Sequence, residues 1–183
     1  MSEENPTQTR TLTLGDFFKD AASYDVKGFA LRHGEAYLIH HGPLGKIRVV
    51  KDMSSTQAIE HKETARAFDP GKDFLVFPLS KGKGKSEGDV VIRLGRGGHN
   101  DIVVPDASVS DNHASVEITK RGQFQIQDLG SRNGTFVQEQ QVPVQGSGPP
   151  VRLESGIRIR IGGLNMTFLE AAEFHNLVIQ LLG

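Results

Sequence analysis

The chain has 183 residues and contains no cysteine. That absence excludes disulfides, thiolate nucleophiles and thiolate metal ligands, and it agrees with a reducing compartment. No apolar run approaches the roughly 18 residues that a bilayer-spanning helix needs. The polar N-terminal stretch "MSEENPTQTRT" lacks the apolar segment of a signal peptide. We therefore expect a soluble, cytoplasmic protein.

The chain also lacks a charge imbalance, because 21 lysines and arginines offset 22 aspartates and glutamates to leave a formal net charge of -1. Such a chain has no overall field that attracts nucleic acid or an anionic membrane. We expect neither as a partner, and the sequence does not indicate an oligomeric state. Any argument from charge must concern local groups of residues.

Motifs for catalysis and metal binding are incomplete. The stretch "KGKGKSEG" contains Gly-Lys-Ser, but a phosphate-binding loop needs a glycine five residues before Gly84, where Leu79 stands. His40 and His41 are neighbours in a strand-like run and point to opposite faces, which is poor geometry for one metal. No serine lies in a glycine elbow, and no pair of carboxylates stands out. The sequence therefore predicts no catalytic residue, no metal site and no cofactor, and hence no enzyme.

The first part of the chain, residues 1–71, is predicted to be a small α+β unit of unknown role. Its proposed elements are a helix in "TLGDFFKDAASY" capped by Thr13, a hairpin in "GFALRHGEAYLIHHG", a strand in "KIRVVK" and a helix in "SSTQAIEHKETARAF". The unit is small enough to depend on the rest of the chain for stability.

Residues 72–170 differ in character, with short strand-like runs about ten residues apart and turn residues between them. In "GIRIRIGG", Ile157, Ile159 and Ile161 alternate with two arginines, as in a half-buried strand. The runs are "FLVFPL", "DVVIRL", "DIVV", "ASVEI", "QFQIQDL", "GTFVQ", "VRL", "GIRIRIGG" and "NMTFL". The pattern predicts a mainly β fold, a β-sandwich of two antiparallel sheets.

Residues 171–183 show helical spacing, with an apolar stripe that contains Phe174, Leu177, Val178, Leu181 and Leu182. This amphipathic helix has two interpretations. It packs back on the body of the protein, or it docks into a groove on a partner.

Three loops of the predicted sandwich are more polar than a turn requires. They contain Gly95-Arg96, the run from Ser108 to Ala114, and the run from Ser131 to Thr135. These loops lie in four motifs that follow one another along the chain. The motifs are "LGR", "NDIVVPDASVS" followed two residues later by "HA", "DLGSRNGTFV" and "L-x-x-G-x-x-I-x-I-G". In this order they resemble the forkhead-associated (FHA) domain over about residues 72–170.

The resemblance implies a β-sandwich that binds phosphothreonine peptides with the loops at one end. It implies that the phosphopeptide-binding residues are Arg96, Ser110, Asp111, Arg132 and Asn133. It also implies that structural support comes from Gly95, His113, Gly134 and Thr135. The residue chemistry agrees, because guanidinium groups match phosphate oxygens and a serine hydroxyl can donate a hydrogen bond. The implied role is a non-catalytic signalling adaptor whose partner is a phosphothreonine-containing protein, the substrate of a Ser/Thr kinase.

The sequence departs from the family pattern at two places. Asp111 stands where the family often has a basic or neutral polar residue that helps to hold the phosphate. The Asp111 carboxylate repels an anionic ligand if it points inward. The repulsion is weaker if the carboxylate points outward or pairs with Arg132. The second departure is "VQEQ" after Gly134-Thr135-Phe136, where the family often has an Asn-Gly turn. Asp111 motivates the alternative function, an FHA fold used for phosphorylation-independent protein-protein interaction or assembly scaffolding.

Overall fold

The computed structural model describes residues 11–41, 69–80 and 90–182. Its strands are β1 (Leu12–Thr13), β2 (Ala36–His41), β3 (Phe74–Pro78), β4 (Val90–Gly95), β5 (Ile102–Val103), β6 (Ala114–Ile118), β7 (Phe124–Asp128), β8 (Thr135–Val137), β9 (Gln140–Gln141), β10 (Val151–Leu153), β11 (Arg158–Ile161) and β12 (Leu164–Glu170). Its α-helices are α1 (Phe18–Ser23), α2 (Val26–His33), α3 (Pro70–Asp73) and α4 (Ala171–Leu182), and a 3-10 helix covers Leu14–Phe17.

The strands form two sheets that pack face to face. One has the order β1-β3-β2-β12-β11-β8-β9, and the other has the order β10-β7-β6-β4-β5. All the pairings are antiparallel except that of β4 with β5. Between the sheets lies a core of buried aliphatic and aromatic side chains, among them Ile92, Ile126 and Phe168. The predicted β-sandwich is confirmed.

The alternation in the sequence explains why these strands have one buried face. In β11, Ile159 and Ile161 are buried, whereas Arg158 is exposed and Arg160 is half-buried. Each of the nine predicted runs contains a strand, and β1 and β9 are further strands that the sequence analysis did not predict.

The hairpin predicted in "GFALRHGEAYLIHHG" is wrong in its first half, where the chain forms α2. The Asp25 side chain caps this helix by accepting a 2.8 Å hydrogen bond from the Gly28 N–H, and Gly34 ends it with a φ of +114°. The apparent alternation of apolar residues wrongly indicated a strand there, because Leu31 is 83% exposed and belongs to no apolar face. Only the second half of the run becomes a strand, β2.

The helix predicted from Thr13 begins as the 3-10 helix and continues as α1. Thr13 is its N-cap, and its N–H donates to the Asp16 carboxylate at 2.8 Å. Helices α1, α2 and α4 form a layer on the outer face of the seven-stranded sheet. Their shared core contains Phe17, Phe29 and Phe174, packed on Tyr37 of β2.

Elements from both sides of residue 72 share one sheet and one core. Strand β2, which precedes residue 72, lies between β3 and β12 in the large sheet. The front helices and α4 likewise share one core. In α4, Phe174 and Val178 are buried against this layer, while Leu181 and Leu182 are exposed. The helix therefore packs back on the body along part of its apolar stripe.

The strand predicted in "KIRVVK", the helix predicted in "SSTQAIEHKETARAF" and the stretch "KGKGKSEG" lie outside the described residues. Of the helices within the described ranges, none is both long and apolar enough to cross a membrane. Within the same ranges, no three metal-ligating side chains come together.

Candidate functional site

Three loops meet around a cavity of about 170 Å³ at one end of the sandwich. They are the end of β4, the β5–β6 loop and the β7–β8 loop. The cavity is lined by Arg96, Ala107, Ser108, Val109, Ser110, Asp111, Arg132 and Asn133. All five residues that the family resemblance implies as ligand contacts therefore line one cavity, although they are up to 37 positions apart in the sequence.

The guanidinium group of Arg96 is paired with the carboxylate of Asp111. The Arg96 Nη2 atom lies 2.8 Å from Asp111 Oδ1, and the two side chains are 50% and 66% exposed. Asp111 thus pairs with Arg96, whereas the sequence analysis considered a pairing with Arg132. The backbone supports this arrangement, because Arg96 N–H donates to the Ser110 carbonyl at 2.9 Å and Gly97 N–H donates to the Asp111 carbonyl at 3.1 Å.

Gly95 allows the β4 end and the β5–β6 loop to approach each other. A Cβ atom at this position would lie 2.2 Å from the Asp111 carbonyl oxygen, a distance that no side chain tolerates. This position therefore needs glycine because two backbones approach each other closely there.

Asn100 holds the same two segments together, and the sequence analysis missed it. Its Nδ2 atom donates to the Gly97 carbonyl at 2.7 Å and to the Asp111 carbonyl at 2.6 Å. The side chain is buried, and its Oδ1 atom has no hydrogen-bond partner among the described residues. Asn100 comes two residues after the Gly97-Gly98 pair, so its position is typical of an ordinary turn.

The β7–β8 loop is tied to the β5–β6 loop through side chains that line the cavity. The Ser110 hydroxyl oxygen accepts a hydrogen bond from the Arg132 N–H at 3.0 Å, and this leaves the hydroxyl hydrogen available to donate. Asn133 Nδ2 donates to the Ser108 carbonyl at 2.8 Å. The Ser108 hydroxyl in turn accepts from Gly163 N–H and donates to Asp106.

His113 lies behind the cavity and is fully buried. Its Nδ1 atom accepts a hydrogen bond from Ser110 N–H at 2.9 Å, and its Nε2 atom donates to the Gly134 carbonyl at 3.1 Å. Burial lowers the pKa of His113 and outweighs the opposing effects of the bond to Gly134 and the charge of Asp128. A neutral imidazole with its proton on Nε2 satisfies both bonds.

Asp128, at the end of β7, organises the β7–β8 loop, and the sequence analysis did not select it. Its carboxylate accepts hydrogen bonds from Gly130 N–H, Ser131 N–H, the Ser131 hydroxyl and the Thr135 hydroxyl, at 2.7–2.9 Å. Burial raises the pKa of this carboxyl, but the four bonds outweigh it and the pKa is lowered. An aspartate that stands two residues before a glycine and three before a serine is typical of a turn closed by the aspartate side chain. That spacing was the signal by which the sequence could have indicated Asp128.

Gly134 has a φ of +76°, which favours glycine, and its neighbour Thr135 is fully buried. Asp128 and His113 therefore reach the β7–β8 loop from the interior, while Arg132 and Asn133 are exposed on its outer side. The loop that contains "GSRNGT" is therefore held by hydrogen bonds within itself and to the neighbouring segments.

The chain is similar to several known proteins over part of its length. Residues 92–162 match the family model of the FHA domain. The chain is 36% identical over 75 residues to the oxoglutarate dehydrogenase inhibitor of Corynebacterium efficiens, an alignment that covers 41% of this chain and 48% of that protein. It is also 36% identical over 75 residues to the glycogen accumulation regulator GarA of Mycolicibacterium smegmatis, covering 41% and 43% of the two chains. The alignments thus span just under half the length of these curated relatives.

Among solved structures, the N-terminal FHA domain of S. cerevisiae Rad53p in complex with a phosphothreonine peptide matches with 19% identity and a TM-score of 0.44. That match covers 56% of this chain and 89% of the other. The family-model match lies within the sandwich and includes all three loops around the cavity. The part of the chain that forms the site therefore matches the FHA domain.

Proposed function

We propose that this protein recognises phosphothreonine in a partner protein and acts as a non-catalytic signalling adaptor in the cytoplasm. The observation that carries the proposal is the single cavity lined by Arg96, Ser110, Arg132 and Asn133. A phosphoryl group near neutral pH carries a charge of about -1.5 to -2 and three strong acceptor oxygens. A receptor for it needs several donors, preferably cationic, that converge from different segments.

Each lining residue has a role that its position allows. Arg96 offers a planar fork to the phosphate oxygens, and its bond to Asp111 engages only one of its five N–H donors. The Ser110 hydroxyl donates to a phosphate oxygen while it accepts from Arg132 N–H. Arg132 adds a second guanidinium. Asn133 presents its amide at the rim, where it can bind the backbone of an extended peptide.

The relatives support a regulatory role for the whole protein. One is named as an inhibitor of oxoglutarate dehydrogenase and the other as a regulator of glycogen accumulation. By analogy we propose that this chain controls a partner by binding to it, and that the partner is the substrate of a Ser/Thr kinase. The predicted absence of catalysis is part of this proposal.

The test is the affinity for matched threonine and phosphothreonine peptides, measured by calorimetry on the full chain. We expect tighter binding of the phosphorylated peptide, and Arg96→Ala should remove most of the difference. Arg121→Ala is the matched control. Arg121 is an exposed arginine in the β6–β7 turn, at the opposite end of β6 from the cavity. Equal affinities of the wild type for the two peptides would overturn the proposal.

The second candidate is a phosphorylation-independent interaction module. The ion pair between Asp111 and Arg96 favours this candidate, because the Asp111 carboxylate already binds the guanidinium group that a phosphate would use. This candidate predicts that threonine and phosphothreonine peptides bind equally and that Arg96→Ala changes both affinities alike. The same calorimetric experiment therefore separates the two functions.

A further inference from the structure

Three charged side chains line the cavity, and one of them has the same sign as the proposed ligand. Arg96 and Arg132 are cationic, and Asp111 is anionic. The Asp111 carboxylate lies on the Arg96 guanidinium at 2.8 Å, yet the side chain is 66% exposed. A group in this position is open to solvent and to any ligand that lies across the cavity.

Asp111 cannot leave the rim of the cavity without disrupting its loop. Its carbonyl oxygen accepts hydrogen bonds from Gly97 N–H and from Asn100 Nδ2, and Asn100 is buried. The Asp111 backbone therefore stays beside Arg96, and its carboxylate stays within a side chain's reach of the cavity whether or not the ion pair is intact. A phosphate on Arg96 then has a second negative charge close by, at a distance where repulsion in partly exposed surroundings is appreciable.

A cation supplied by the ligand removes this conflict. When phosphate binds to Arg96, the Asp111 carboxylate loses all or part of its partner and can accept an ion pair from a lysine or arginine of the peptide. Successive Cα atoms lie about 3.8 Å apart, so a long basic side chain within two residues of the phosphothreonine can reach the carboxylate. One ion pair is thus exchanged for two, phosphate with Arg96 and Asp111 with the peptide cation, and Arg132 remains available to the second charge of the phosphate.

We propose that Asp111 makes this site select phosphothreonine peptides that carry a lysine or arginine within two residues of the phosphothreonine. The inference rests on the proposed function and adds the class of ligand. Because Asp111 is exposed, its contribution is that of a surface ion pair, which corresponds to about a twofold to fivefold gain in affinity for each well-placed basic residue.

The test uses a peptide library with a fixed phosphothreonine and randomised residues at the two positions on each side. The retained peptides are sequenced after capture by the full chain. The wild type should enrich lysine and arginine over aspartate and glutamate by about twofold to fivefold at low salt. Asp111→Asn should abolish this preference, and Asp111→Lys should reverse it toward acidic residues. Glu173→Gln is the control, because it removes one exposed negative charge on α4, in the helical layer.

The outcomes distinguish this inference from the function on which it rests. A library with unphosphorylated threonine is captured in parallel. If the wild type retains the phosphorylated library better but shows no basic preference, or if Asp111→Asn keeps that preference, the inference is overturned and the proposed function stands. If both libraries are retained equally, both are overturned. A basic preference that Asp111→Asn removes, Glu173→Gln keeps and high salt weakens supports the inference.

Discussion

The Nε2 atom of His113 lies 3.1 Å from the carbonyl oxygen of Gly134, and this bond joins two of the three loops around the cavity. The other ring nitrogen accepts from Ser110 N–H, so one buried imidazole fixes the positions of Ser110 and of the glycine that follows Asn133. Ser110, which lines the cavity, and Gly134, which follows the lining residue Asn133, are thus positioned from behind by a side chain that itself does not line it.

Replacement of His113 by alanine is expected to lower the free energy of unfolding by about 2–4 kcal/mol. The change leaves Ser110 N–H and the Gly134 carbonyl without their partner and opens a cavity in the interior. Urea denaturation followed by circular dichroism measures the effect. His99→Ala is the control, since His99 is exposed and its loss should change stability by less than about 1 kcal/mol. Equal losses in the two variants would show that His113 does not support the loops.

The pH dependence of the free energy of unfolding should also depend on His113. Burial holds the folded-state pKa of His113 below the ordinary value of 6.5, and burial acts in the same direction on His41. The unfolded chain therefore takes up protons first as the pH falls. The stability from these groups is fully present above about pH 6.5 and is lost as the pH falls below it toward their folded pKa values.

Denaturation midpoints at intervals between pH 8 and pH 5 measure this loss. His113→Gln should have a shallower decline than the wild type, and His113→Gln combined with His41→Gln should be shallower still. The lowered pKa of Asp128 contributes a separate loss at more acidic pH, below about 3.9, where the unfolded carboxyl is protonated first. An unchanged slope in His113→Gln would contradict the assignment of a neutral, buried imidazole.

Gly95→Ala is expected to disrupt the cavity, because the new Cβ atom would lie 2.2 Å from the Asp111 carbonyl oxygen and 2.8 Å from Asn100 Nδ2. The β5–β6 loop must move away, at a cost of about 1–3 kcal/mol in stability. We also expect at least a tenfold loss of phosphopeptide affinity, measured by calorimetry. Gly98→Ala is a close control three residues away, since a Cβ there meets no atom within 4 Å. Similar behaviour of the two variants would refute the close-approach explanation.

The sequence predicted those parts of the fold that depend on local patterns. Alternating residues such as Ile159 and Ile161 fixed which face of a strand is buried, so the strands and the sandwich could be predicted. The loop residues could be selected because arginine, serine and asparagine are grouped there beyond the needs of a turn. The first half of the predicted hairpin failed because the cap at Asp25 and the stop at Gly34 outweighed an apparent alternation.

Features that depend on contacts between distant segments could not be predicted. The ion pair of Asp111 with Arg96 joins residues 15 positions apart, and nothing in either loop distinguishes Arg96 from Arg132 as the partner. The position of β2 in the sheet depends on β12, more than 120 residues later. Asp128 and Asn100 hold the loops by hydrogen bonds to backbone groups, which leave little trace in the sequence.

The turn between β8 and β9 is where the sequence departs from the Asn-Gly pattern, and it stores backbone strain. Gln138 and Glu139 have φ values of +47° and +67°, although neither is glycine. Two consecutive left-handed residues that join Val137 to Gln140 are typical of a tight hairpin turn, for which Asn-Gly is the favoured pair. The double change Gln138→Asn with Glu139→Gly should therefore raise the free energy of unfolding by about 1–2 kcal/mol.

Urea denaturation of the double variant measures this gain. Glu139→Ala is the matched control, because it removes the same side chain but keeps the penalty for a positive φ, and so should give no stabilisation. The turn is formed by exposed residues that do not line the cavity between the three loops, so phosphopeptide affinity should stay within about twofold of the wild type. A gain of the same size in Glu139→Ala would mean that the side chain, rather than the backbone conformation, is the source of the strain.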